Sequence, residues 1–377
     1  MKQYCRLSGF FVFLLVFLMA SCAKKPANDQ VIELSLKEIV QSDLPFQIER
    51  IIPLETRDDN LISMRLKVRK SPNGFLVKDE EPRGGNTKSG IYHFDDKGGY
   101  LGEVVSIGEG PGEIPNVVDF IVDDDKVEVL VSNGGQTLIE AFSRSGEKLS
   151  SKKLDLLADA FYKRPNGNYL FYGGYNAPIV QNRLLEADAH GKVIKTYLPN
   201  DYSGKLIPVK ERNFSCYKGR VFFKEAFNNQ VYSVSDTLET TYLFDFDPYS
   251  LPPKFWDLDF MEGFQLINEN GFAHIEDYWE SDHWALFHIS IQKQGQMTHQ
   301  LVLYNKQAGK VSRNEMQEES LWLQPIGFDE NSEELLFLVH PKMLKQSLEK
   351  GALTPVQDIT NLKDDDNPVL VYVKLEP

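Results

Sequence analysis

The chain has 377 residues and is acidic, with 41 Lys and Arg against 55 Asp and Glu and a formal charge of −14. That balance opposes nonspecific binding to nucleic acid or to an anionic membrane surface. A hydrophobic content of 42%, including 12% aromatic residues, suits a well-packed globular protein, and the three cysteines are too few for a disulfide scaffold.

Met1–Ser21 reads as a targeting segment, because Lys2 and Arg6 precede an apolar run, Phe10–Met19, that is too short to span a bilayer comfortably. Leu18-Met19-Ala20-Ser21-Cys22 has the form of a lipobox, which predicts cleavage before Cys22 and lipidation of that residue. Residues 22–44 follow as tether and lead-in, with 31–44 forming either a strand or one helical turn. Residues 45–377 are expected to be the folded part.

Phe46–Leu54 is β-prone, and Pro72-Asn73-Gly74 turns the chain into Phe75–Lys78. Asp79–Ser89 is polar and glycine-containing, hence a loop. Ile91, Tyr92 and Phe94, the turn Asp95–Gly99, and Leu101, Val104, Val105 and Ile107 together read as a β-hairpin. Related units follow at Leu138–Leu149, Leu184–Tyr197, Val231–Phe244 and from Leu301, and a lone strand, Val369–Leu375, comes last.

Anchored on Ile91, Ile139, Leu184, Val231, Leu301 and Val369, the first three gaps are roughly 45–48 residues, the length of a four-stranded propeller blade. The last two are roughly 70, a blade with about 20 residues inserted. Six anchors predict six blades. Val369–Leu375 has no hairpin partner after it, and a bare edge strand is an aggregation hazard. Phe46–Leu54 is the predicted partner, locking the ring.

Both insertions read as helices on one face. Pro252-Pro253 precedes an amphipathic stretch, Lys254–Ile267, stopped by Asn270-Gly271, and Pro341–Gly351 starts with proline and ends with glycine. The fold class expected is therefore all-β: a six-bladed β-propeller closed by an N-terminal strand, with two short helical insertions.

Gly108-Glu109-Gly110-Pro111-Gly112-Glu113 lacks the spacing of a phosphate loop. It reads as a turn between blades or as a ligand-contacting loop with Glu109 or Glu113 as acceptor. The lipobox, the early Ile-Pro-Leu-Glu-Thr, this loop after a hairpin, the two helical insertions, the strand pair from Val231 and the closing Asn367–Leu375 together resemble the six-bladed β-propeller lipoproteins of Bacteroides-type bacteria. The resemblance runs over Phe46–Leu375, and its relation to NHL-type propellers implies binding rather than catalysis. Surface lipoproteins of such bacteria carry acidic residues after the lipidated cysteine. Ala23, Lys24 and Lys25 depart from that and favour an outer-membrane anchor facing the periplasm, with the cell surface as the other location.

His274–His288 is the densest run of metal-ligating and acid–base side chains, yet its spacing matches no HExxH-type motif, and it reads as a hairpin with Glu280–His283 as the turn. No metal ligand set and no cofactor is assigned. Cys216 reads as a small buried strand residue. Trp256, Tyr278, Trp279, Trp284 and Trp322 are candidates for a sugar platform or for core packing.

The function expected is an envelope-anchored binding protein for an oligosaccharide or a protein partner in nutrient acquisition. It would touch the membrane only through its lipid and bind no nucleic acid. Arg83, Glu109, Glu113 and Trp279 are the candidate rim. The alternatives are a propeller lyase or hydrolase, with Glu280 and His283 as first suspects, and a structural scaffold.

Overall fold

A computed structural model describes residues 31–376 apart from 43–45, 64, 81–88, 124, 134–135, 177–178, 203–210, 317–322, 350–358 and 360. The leader, the Cys22 lipobox, Arg83 and Trp322 lie outside the described residues. Among the described residues no helix is long and apolar enough to cross a membrane.

Two strands precede the ring, β1 (Ile32–Ser35) and β2 (Phe46–Pro53). Blade 1 holds β3 (Leu66–Ser71), β4 (Gly74–Asp79), β5 (Ser89–Phe94) and β6 (Tyr100–Ile107), and blade 2 holds β7 (Val117–Asp123), β8 (Lys126–Asn133), β9 (Gln136–Ser143) and β10 (Lys148–Leu154). Blade 3 is shorter, with β11 (Ala160–Lys163), β12 (Tyr169–Tyr172), β13 (Leu184–Ala187) and β14 (Val193–Thr196). Blade 4 holds β15 (Phe214–Tyr217), β16 (Arg220–Phe223), β17 (Gln230–Val234) and β18 (Leu238–Asp245). Helix α1 (Phe260–Asn270) leads into blade 5, made of β19 (Phe272–Glu280), β20 (Trp284–Lys293), β21 (Gln296–Asn305) and β22 (Lys310–Met316). Blade 6 takes β23 (Leu323–Phe328), β24 (Leu335–Val339) and β25 (Val369–Leu375), with α2 (Pro341–Glu349) inserted before β25.

Each blade is an antiparallel meander, and the innermost strands β3, β7, β11, β15, β19 and β23 touch in sequence around one axis. All six anchor residues lie on the third strand of their blades. Third strands read as nearly continuous apolar runs because both faces of each sheet are covered by neighbouring blades. The main core is accordingly divided into six clusters, one per blade interface.

The predicted closure is present. β2 pairs antiparallel with β25, from Phe46 opposite Leu375 to Pro53 opposite Val369, so the N-terminal strand is the outermost strand of blade 6. The lead-in adds a feature the sequence left open: β1 runs parallel to β18 as a fifth strand of blade 4, and Gln41 then bridges Arg313 in blade 5. The N-terminal segment thus crosses the outer edges of blades 4 and 5 before entering blade 6.

The first insertion differs from a continuous helix over Lys254–Ile267. A short 3-10 turn spans Pro253–Asp257, Leu258 is extended, and Asp259 caps α1 by accepting from the Glu262 amide at 2.9 Å. An aspartate with its oxygen on the N3 amide starts a new helix more readily than it continues an old one. By the meander topology, α1, α2 and the Gly108–Glu113 loop all emerge on one face, the loop face.

Candidate functional site

Where the inner strands converge, a recess of about 430 Å³, counting the solvent it opens to, lies along the axis. Its lining includes four cations, Lys67, Arg69, Arg212 and Lys224, with Asp277 and the indole of Trp279. In β3, Lys67 and Arg69 alternate with Leu66 and Val68, and the two-residue period turns both cations towards blade 2. There Lys67 Nζ lies 2.5 Å from Asp119 Oδ1, a carboxylate that also accepts from the amides of Phe120 (2.6 Å) and Phe161 (3.2 Å). Burial pulls the Lys67 ammonium below its ordinary range, and Asp119 opposes that pull.

Arg69 shares the same carboxylate only at 3.9 Å, and its Nε is buried with no hydrogen-bond partner among the described residues. Arg212 Nη1 lies 3.3 Å from Asp277, and its Nη2 donates to the Leu66 carbonyl at 3.0 Å. Lys224 is paired with Glu211 at 2.8 Å. An otherwise acidic protein therefore presents a basic, partly uncompensated recess with an aromatic wall, an arrangement that can hold an anionic group.

On the loop face an aromatic cluster gathers over α1. Trp256 and Tyr202 stack with centroids 3.8 Å apart, and both are half-buried. The Arg183 guanidinium lies over the Tyr175 and Tyr202 rings and forms a buried pair with Glu225. Trp256 was among the aromatics singled out in the sequence; Tyr175 and Tyr202 were not. They sit in connecting loops with no repeat signal, so only the packing reveals them.

The other sequence candidates fall in three places. Trp279 lines the axial recess, its ring against Gly327. Tyr278 and Trp284 are buried in the core. Glu109 is exposed at the tip of the loop-face turn. Glu113, the other candidate acceptor of that loop, folds its carboxylate back to accept from the Gly110 amide at 2.7 Å. A Cβ at Gly108 would come within 2.1 Å of that carboxylate, so a glycine there lets the loop close on itself.

Glu280 and His283 lie on the opposite face, at the β19–β20 turn, which the structure places at Ser281–His283. The Glu280 carboxylate is surrounded by Arg220 at 3.1 Å, the Lys306 ammonium and the Tyr278 hydroxyl. His283 is exposed and contacts Glu333 at 2.9 Å. Both side chains are engaged in ties within and between blades. Cys216, read as buried, is exposed on innermost strand β15. Tyr162 donates to its Sγ at 3.2 Å, and atoms packed around the sulfur push the thiol up, which disfavours a thiolate nucleophile.

The His274–His288 hairpin forms as read, yet its side chains divide. Glu276 and His288 meet a residue outside the run, His299 of β21, and these three form the single cluster of metal-ligating side chains found among the described residues. No spacing rule joins His299 to the others, because it arrives through cross-strand register.

The fold is similar to two solved structures. One is a Bacteroides fragilis protein named as exported, 16% identical, with a TM-score of 0.71 over 92% of this chain and 100% of that one. The other is a member of the DUF4221 family from Bacteroides vulgatus, 11% identical, with a TM-score of 0.56 over 89% of this chain and 99% of that one. At these identities the likeness is one of fold. A comparison with curated proteins finds no match. A family described as a domain of unknown function, DUF4934, matches residues 29–374, nearly the whole folded region, and this six-bladed propeller belongs to that family.

Proposed function

We propose that this protein is exported to the cell envelope, tethered through a lipid on Cys22, and binds a ligand bearing a carboxylate or similar anionic group in its axial recess. Acidic oligosaccharides are the class favoured, which would place the protein in nutrient acquisition. The leader sequence and the exported fold neighbour from Bacteroides fragilis support the location.

One observation carries the ligand class. Arg69 lines the recess with a buried Nε that has no acceptor among the described residues, and its nearest carboxylate, 3.9 Å away, is already bonded to Lys67. A buried N–H with no acceptor is costly, and an anion reaching the Arg69 Nε would recover that cost. Trp279 offers a flat apolar wall of the kind that sugar rings stack on.

Thermal unfolding of the protein with acidic and neutral oligosaccharides tests this. A ligand at a hundred times its dissociation constant stabilises by about 2.7 kcal/mol. An acidic sugar should raise the midpoint, and Arg69→Gln should remove the shift while keeping the unliganded midpoint. Equal shifts in wild type and Arg69→Gln, or none with any acidic sugar, would overturn the reading.

A further inference from the structure

On blade 5, the face turned to blade 6 carries Trp284 and Leu286 in the interface core. The two-residue period of β20 continues that face through His288 and Ser290. Ser290 is paired with His299 on β21, which brings the two histidines side by side: His288 Nε2 lies 3.1 Å from His299 Nδ1. The third group comes from a β-bulge. The register of β19 against β20 slips between Ile275 and Asp277, and Glu276 is the extra residue, turned so that its Oε2 is 3.3 Å from His299 Nδ1 and 3.7 Å from His288 Nε2. Bulges commonly re-aim a side chain in this way.

We infer that Glu276, His288 and His299 form a binding site for a divalent transition metal, with Zn²⁺ the best fit. A tetrahedral ion bonded at about 2.0–2.1 Å holds its ligand atoms about 3.3–3.4 Å apart, and the three observed edges, 3.1, 3.3 and 3.7 Å, bracket that value. Two imidazoles with one carboxylate suit zinc and its neighbours, whereas calcium and magnesium take oxygen ligands.

Hydrogen bonding within the triangle does not satisfy it. Glu276 Oε2 is buried and lacks a hydrogen-bond partner of good geometry among the described residues. Buried polar atoms without partners are rare enough to need an explanation, and coordination of an ion is one.

The surroundings fit the same assignment. Asp277 Oδ2 lies 3.5 Å from His288 Nδ1, on the side away from the triangle. A carboxylate there favours the tautomer with its proton on Nδ1, which leaves Nε2 free to bind the metal. Three protein ligands leave a fourth position for water or an exogenous oxyanion, the pattern of an open rather than a closed zinc site. The Glu276 side chain is 41% exposed although its Oε2 is buried, so the site has an approach from solvent.

The test is a titration of chelator-treated protein with Co²⁺ alone, followed by Zn²⁺. Wild type should bind one equivalent of cobalt with the intense visible absorption of a tetrahedral centre, and zinc should abolish that absorption. His299→Ala and Glu276→Gln, with folding checked by circular dichroism, should show no such band. Should either variant fail to fold, anomalous diffraction at the zinc edge from the wild type decides. A peak within the triangle supports the site, and a peak elsewhere or none overturns it. Unchanged cobalt binding in a folded His299→Ala also overturns it.

Discussion

Asp277 Oδ2 stands 3.5 Å from His288 Nδ1, and the same oxygen stands 3.3 Å from Arg212 Nη1. One buried carboxylate therefore links the axial recess to the histidine–glutamate triangle. Asp277→Asn keeps the shape and removes the charge. Loss of such an outer carboxylate typically weakens metal affinity about 10–100-fold. Cobalt and zinc affinities of this variant should fall by that order while Glu276, His288 and His299 remain. A variant with wild-type affinity and only a lower melting temperature would give Asp277 a purely structural role.

Ring closure has its own test at Gly98. This residue, in the β5–β6 turn of blade 1, has φ of 85°, and a Cβ there would lie 2.1 Å from the carbonyl oxygen of Pro53 at the end of β2. Gly167 has nearly the same φ, 84°, with nothing within 4 Å. Both substitutions to alanine incur the backbone cost of a positive φ, about 1–3 kcal/mol. Gly98→Ala should cost measurably more in urea unfolding, because it also pushes on the closing strand. Equal costs would show that the contact with Pro53 is easily relieved.

Arg183 and Glu225 form a fork, Nε to Oε2 at 2.9 Å and Nη2 to Oε1 at 3.0 Å, and neither residue is appreciably exposed. Removing the charge of one partner strands the other in a poorly solvated site, which typically costs about 3–5 kcal/mol. Glu225→Gln should lower unfolding free energy towards that range. A loss below about 1 kcal/mol would mean that water or a rearranged loop reaches Arg183.

Asp329 gives a pH signature. Burial would raise its carboxyl, but Lys70 and the amides of Ser332 and Asn331 outweigh this and hold it at about 2. The folded value is below the unfolded one, about 3.9, so the contribution is present in full above pH 4 and is lost as pH falls towards 2. With Lys70 half exposed, about 1–2 kcal/mol is a fair magnitude after screening. Asp329→Asn should be less stable by that amount at pH 7 and converge with wild type near pH 2. Parallel curves across that range would show that the ion pair between blades 6 and 1 contributes nothing.

The sequence by itself determined the ring. Apolar runs at Ile91, Ile139, Leu184, Val231, Leu301 and Val369 recur because every blade must bury both faces of its third strand, and that demand is written locally. An unpartnered final strand and a β-prone start were enough to foretell β2 on β25. Glycine at Gly271 likewise marked where α1 ends, and proline at Pro341 where α2 begins.

Only the tertiary structure decided the chemistry. Glu276 reaches His299 because a bulge displaces it by one position and because Ser290, not a neighbour, is paired with His299. The same dependence put Cys216 in the open, folded Glu113 into its own loop and laid β1 along blade 4. Slipping a strand by one residue exchanges its two faces, so convergence of side chains is a property of register, and register is fixed only when the blades pack.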